Sequence, residues 1–159
     1  MTPDQVDALG SLLERQRLLS LAVLLEEKPY VGLLPYALRE DYGAALIHAS
    51  KLARHTRGLE EGAPFALLVH EVATPEMDPL QIPRVSLQGI VEVIAKDSPA
   101  YAAGRETYLS RFPTSATTFG LADFNLYWLR FESGRYVAGF AQSVNLNEQN
   151  LRQLAQDPD

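Results

Sequence analysis

From Arg84 to Ala95 the side chains alternate without a break. Val85, Leu87, Gly89, Val91 and Val93 fall on one side, and Ser86, Gln88, Ile90 and Glu92 on the other. A period of two held over that length specifies a long β-strand, and such a strand needs hydrogen-bonding neighbours along both edges. The rest of the chain offers them. Leu18–Leu25 reads as a buried strand, Glu26-Glu27-Lys28-Pro29 as a turn, and Tyr30–Ala37 as the hairpin partner, with Pro35 marking an edge or an irregularity. Ala44–His48 is a third strand. Pro64 opens a fourth over Phe65–Val72, followed by a loop, Ala73–Pro83, punctuated by three prolines. Phe124–Phe131 and Arg135–Ala141 are expected to form a hairpin across Glu132-Ser133-Gly134. Long strands joined by short turns predict a mainly β protein with peripheral helices (α+β), an antiparallel barrel rather than a parallel Rossmann sheet.

Three capped helices are expected at the start, middle and end of the chain, apart from the helix predicted after Ser50. Thr2 or Asp4 can cap the first, about residues 3–16, with Val6, Leu9, Leu12 and Leu13 on one face. Ser98 or Asp97 caps the second, with Pro99 at its first position and Phe112-Pro113 ending it. Asn147 caps a short third helix, about residues 147–156. Residues 1–159 form a single domain, with the barrel over about 18–142. The segment around Trp128 is apolar on both faces: Phe124, Leu126 and Trp128 on one, Tyr127, Leu129 and Phe131 on the other. A dimer interface is the favoured explanation, and a cover by the helix over residues 100–111 is the alternative.

The absence of cysteine excludes disulfides, thiol nucleophiles and Cys-ligated metals. A net charge of −6 argues against broad nucleic-acid binding. No apolar run has the length of a membrane helix. The start of the chain lacks a basic segment before an apolar core, so a cytoplasmic location is expected.

Against that acidic background one segment stands out. In ALIHASKLARHTRGL, Ala45 to Leu59, the residues Lys51, Arg54, His55 and Arg57 fall within seven positions with no acid among them. The pattern predicts a strand running through Ser50 into a helix that reaches about Gly62. Cations at a helix start are locally unfavourable, and position 53 is Ala rather than the Glu or Gln of a capping box. An anion would relieve the strain. Free N–H groups, the Ser50 hydroxyl and nearby arginines together suggest a phosphate site. The plain alternative is a solvated basic face opposite a buried one of Leu52, Thr56 and Leu59.

The order of the pieces also resembles a known family. Gly32–Ala37, Leu52–Leu59, Asp123-Phe124 and Gly139-Phe140, together with a strand ending in an acid at Glu71 and the long strand from Arg84, are similar to the pyridoxamine 5′-phosphate oxidase-like split barrels that bind FMN. Within them the chain most resembles the haem-utilisation branch. The resemblance covers roughly residues 18–142. It implies a split barrel of the FMN-binding type and a homodimer with two FMN molecules at the subunit interface. It puts the flavin phosphate at Ser50, Arg54, His55, Thr56 and Arg57, with Lys51 in the same cluster. It makes Arg84 a residue reaching the flavin from the partner subunit, and it sets Trp128 near the ring. Ala141 and Gln142 depart from the Gly or Arg that family members often carry after the Gly-Phe pair. Members of the branch commonly continue into a further C-terminal domain, whereas this sequence stops soon after Leu154, so haem handling is expected to be less prominent.

Other chemistries find little support. His48, His55 and His70 form no metal-binding spacing, although any of them is a conceivable haem ligand. There is no Gly-x-Ser-x-Gly elbow and no phosphate-binding glycine loop. The acid pairs Glu26-Glu27, Glu40-Asp41 and Glu60-Glu61 sit beside turns, where solvation is the plain reading. The expected function is that of an FMN-dependent oxidoreductase or flavin reductase, with an unidentified small-molecule substrate and electron donor. The alternative is a non-catalytic flavin- or haem-binding protein of the same fold.

Overall fold

The structure is a computed structural model and describes residues 1–155. Helix α1 (Pro3–Arg15) starts from a reciprocal capping box in which Thr2 and Gln5 exchange hydrogen bonds. Eight strands follow among the described residues: β1 (Leu18–Leu25), β2 (Lys28–Pro35), β3 (Ala37–Leu38), β4 (Ala44–Ser50), β5 (Pro64–His70), β6 (Arg84–Val93), β7 (Phe124–Gly139) and β8 (Gln142–Asn147). Helix α2 (Pro99–Arg111) lies between β6 and β7, and α3 (Glu148–Gln153) follows β8. Residue 156, where α3 was expected to end, lies outside the described residues.

Every strand pair is antiparallel, in the order β2-β1-β5-β6-β7-β4-β3 with β8 on the free part of β7. The inner faces enclose a core of Leu19, Leu21, Val23, Leu67, Val85, Leu87, Leu129 and Phe131, closed at one end by Leu9, Leu12 and Leu13 of α1. This is the antiparallel barrel with peripheral helices that the alternation predicts, in the split form that the resemblance implies. The end of α1 is tied down by polar contacts. Arg15 pairs with Glu71, Tyr36 donates to the Leu13 carbonyl at 2.7 Å, and Arg111 donates to the Glu14 carbonyl at 2.8 Å.

Two expectations are corrected by the strand pairing and the packing. Glu132-Ser133-Gly134 is not a hairpin turn. β7 runs straight through it for 16 residues, and Glu132 is the extra residue of a bulge between the pairs Gln88↔Ser133 and Gly89↔Phe131. Gly89 permits the bulge, because a Cβ there would stand 1.8 Å from the Arg130 carbonyl oxygen. The true hairpin comes later, at Phe140-Ala141, where Ala141 adopts φ 59° and leads into β8. The second correction concerns the doubly apolar strand. Leu126 and Trp128 pack with Leu46, Ile94, Tyr108 and Phe112, so α2 covers that face within one chain. No second subunit is needed to explain its burial.

A different face is left bare. Paired residues share a face, so Leu18, Ala22, Leu24, Val31, Leu33, Ala66 and Leu68 form one outer surface of β2-β1-β5. Val31 and Leu33 are 62% and 65% exposed on it.

Candidate functional site

Ser50 ends β4, and the chain beyond it does not form the α-helix expected to about Gly62. It forms a five-residue 3₁₀ turn, Arg54–Gly58, whose first flanking residue, Ala53, provides no side-chain cap. Leu52, expected on a buried face, is 86% exposed, while Thr56 and Leu59 are buried. The reason is a contact distant in sequence. The Ser50 hydroxyl donates to Asp123 Oδ2 at 2.5 Å and accepts from the Leu52 N–H, and the Asp123 carbonyl accepts from the Lys51 N–H at 2.7 Å. Asp123 is therefore the anion at the end of β4. Ser50 and the adjacent backbone N–H groups are already partnered, and a turn this short carries little dipole.

The 3₁₀ geometry has three residues per turn, so positions i and i+3 share an edge. Arg54 and Arg57 share one, and His55 and Gly58 share another. Arg54 and Arg57 line an open cleft of about 490 Å³ together with Leu24, Lys28, Tyr30 and Glu60. The Arg54 guanidinium sits 5.2 Å from the centre of the Tyr30 ring, a cation–π contact. Glu26 adds a second carboxylate to the lining. Glu26 and Glu27 both take positive φ at the tip of the β1–β2 hairpin, which forms the opposite wall.

The remaining expected residues fall elsewhere. His55 turns away from the cleft, half-buried, with its ring against Gly32. Burial lowers its pKa. Thr56 is buried and donates to the Ser50 carbonyl at 2.6 Å, a structural bond. Lys51 is exposed. Arg84 lies at the far end of β6, paired with His70 and Val137, and donates to the Ile82 carbonyl. It does not join the cleft within one protomer. Trp128 is half-buried on the α2 side of β7, with the Arg39 guanidinium 5.9 Å from its ring centre, and it does not line the cleft. The local sequence missed Lys28, Tyr30, Glu26 and Glu60. The only local hint was Gly32, a glycine inside a strand pattern, which marks a close approach by another part of the chain.

The other two histidines are also accounted for. His48 is 7% exposed, stacked 3.9 Å from the Phe119 ring centre and within hydrogen-bond reach of Thr118. Desolvation, with a smaller contribution from Lys96, lowers its pKa to about 4. His70 Nδ1 meets the Glu71 carbonyl. Among the described residues no three His, Asp or Glu side chains come together in metal-binding reach. No described helix is long and apolar enough to cross a membrane.

No protein-family model matches the sequence. The haem oxygenase HutZ of Vibrio cholerae is 25% identical over 139 residues, 87% of this chain and 78% of that protein. Among solved structures, a haem-binding protein from Mycobacterium smegmatis superposes with a TM-score of 0.81 at 22% identity, covering 96% of this chain and 62% of that one. A Clostridium acetobutylicum protein of the pyridoxinephosphate oxidase family gives 0.69 at 11% identity, over 95% and 99% of the two chains. The chain has the split-barrel fold of these proteins, and its sequence is similar to that of HutZ. A further split barrel, an FAD- and haem-binding protein from Mycobacterium smegmatis, gives 0.57 at 22% identity, over 78% and 65%. This split barrel thus spans less than two thirds of either mycobacterial chain.

Proposed function

We propose that this split barrel binds FMN in the Arg54–Arg57 cleft and acts as an oxidoreductase of the flavin-reductase type. One observation carries the reading. Two arginines aligned by a 3₁₀ turn line an open cleft of about 490 Å³ together with the Tyr30 ring, against which Arg54 rests, an arrangement suited to a planar ligand that carries a phosphate. The residues fit the group at Arg54, Arg57 and Tyr30. They do not fit it at Ser50, which Asp123 occupies. A bound flavin would supply hydride and single-electron chemistry, while the protein supplies position and charge. Arg54 and Arg57 hold the phosphate in this reading, and the carboxylates of Glu26 and Glu60 accept from ligand hydroxyls at the rim. No dedicated catalytic side chain is required.

The cleft shares Leu24 and Pro29 with the apolar outer face of β2-β1-β5. A homodimer formed on that face would border the cleft, and it would give Arg84 a route to the partner's flavin. The reading also includes action in the cytoplasm, with neither nucleic acid nor membrane as a partner.

A second reading, non-catalytic or haem-utilising binding, is favoured by the names of the relatives. The same arginines would take the haem propionates. Against it, among the described residues no histidine lines the cleft, so an axial ligand would have to come from elsewhere.

The test is an absorption spectrum before and after incubation with FMN and desalting. Retained flavin bands that bleach on addition of NADH or NADPH support the first reading. Failure to retain FMN, with a Soret band after haem addition, supports the second.

A further inference from the structure

The basic turn is seated by contacts that leave no room for a methyl group. A Cβ added at Gly32 would stand 2.8 Å from His55 Nδ1, 3.1 Å from Cγ and 3.4 Å from Cβ of the same residue. A Cβ added at Gly58 would stand 2.7 Å from Val23 Cβ and 2.9 Å from the Leu24 carbonyl oxygen. Gly32 pairs with Leu21, and Leu21 and Val23 both belong to the buried face of β1. The two close approaches therefore dock the turn on the inner side of the β1–β2 hairpin. His55 and Gly58 are i and i+3, one edge of the 3₁₀ turn, and Arg54 and Arg57 are the next edge. Fixing the first edge fixes the rotation of the second. His55 Nε2 is buried without a hydrogen-bond partner, so the ring is held by shape and not by polar contacts.

We infer that Gly32 and Gly58 form a socket on the hairpin that seats the basic turn, and that His55 is the positioning residue in it, aiming Arg54 and Arg57 at the ligand without touching it. This rests on the flavin reading of the cleft. It departs from the sequence expectation that His55 contacts the phosphate. The depressed pKa of His55 agrees with a ring lodged in the socket.

The experiment is a double-mutant cycle of G32A, H55A and G32A/H55A, read by FMN fluorescence quenching and by thermal melting. In the wild-type background the added methyl collides with the imidazole, and G32A should weaken FMN by about tenfold or more, the equivalent of one lost charge-assisted contact. In the H55A background the collision is gone, and G32A should change neither affinity nor Tm. Equal effects of G32A in both backgrounds overturn the inference. So does an innocuous G32A beside an H55A that abolishes binding, because His55 would then touch the ligand directly. If G32A alone fails to fold, recovery in the double variant supports the socket and a second failure overturns it. If the wild-type protein takes up no FMN, the flavin reading fails. The socket is then judged on Tm alone, where G32A must destabilise only when His55 is present.

Discussion

His48 and Phe119 stack almost face to face, with an interplanar angle of 8° and ring centroids 3.9 Å apart. Tyr108 and Phe124 close in from the sides, and Arg105 lies over the outer face of Phe119. Protonating an imidazole here costs desolvation and meets Lys96, so its pKa drops to about 4. The folded value lies below the unfolded one. As pH falls below about 6.5 the unfolded chain gains a proton that the folded chain refuses, and stability is lost until about pH 4. The expected loss from this group is about 3 kcal/mol over that window. Urea unfolding of the wild type and of H48L across pH 7.5 to 4 checks it. Parallel curves for the two proteins would refute it.

Replacing Arg54 and Arg57 together by Ala should abolish FMN binding, since each charge-assisted contact contributes roughly 1.5–3 kcal/mol. Both side chains are exposed, so the melting temperature should barely move. Fluorescence quenching measures the affinity, and an unchanged Kd in the double variant would remove the site from this cleft.

Ser50 offers the reverse pattern. Its hydroxyl bonds to Asp123 and to the Leu52 N–H, so S50A should cost about 1–3 kcal/mol of stability, the penalty for leaving a carboxylate underpartnered. FMN affinity should be preserved. A large loss of affinity at unaltered stability would return the phosphate to the end of β4.

The bare face of β2-β1-β5 predicts a self-association that charge can break. Light scattering should give about twice the 17.6 kDa chain mass for the wild type. L33E, which sets a carboxylate among Leu18, Ala22 and Val31, should give the chain mass alone with an unchanged circular dichroism spectrum. A monomeric wild type would exclude any site shared between two subunits.

Local pattern made much of the fold legible. The alternation along β6 and the caps at Thr2, Ser98 and Asn147 are signals carried by adjacent residues, and the structure keeps all of them. The misreadings share a different origin. Glu132-Ser133-Gly134 has the composition of a turn, but β6 and β8 pair along it from both sides and hold it extended. Ser50 has the identity of a helix cap, but its partner is Asp123, far along the chain. The arginines of the cleft were visible as a cluster. Tyr30 and Lys28 were not, because only the docking of His55 on Gly32 brings the hairpin to them.

The length of β7 also bears on how the molecule comes into being. Among the described strands β4 pairs with the two-residue β3 and with β7, and the register joins Ser50 to Phe124. Such a pairing closes a large loop and is slow to form. During synthesis, β4 and the basic turn behind it must wait for β7 to leave the ribosome. The cleft lined by Arg54 and Arg57 is then among the last parts of the protein to take shape, and on the proposed reading a nascent chain halted before Phe124 should be unable to hold a flavin.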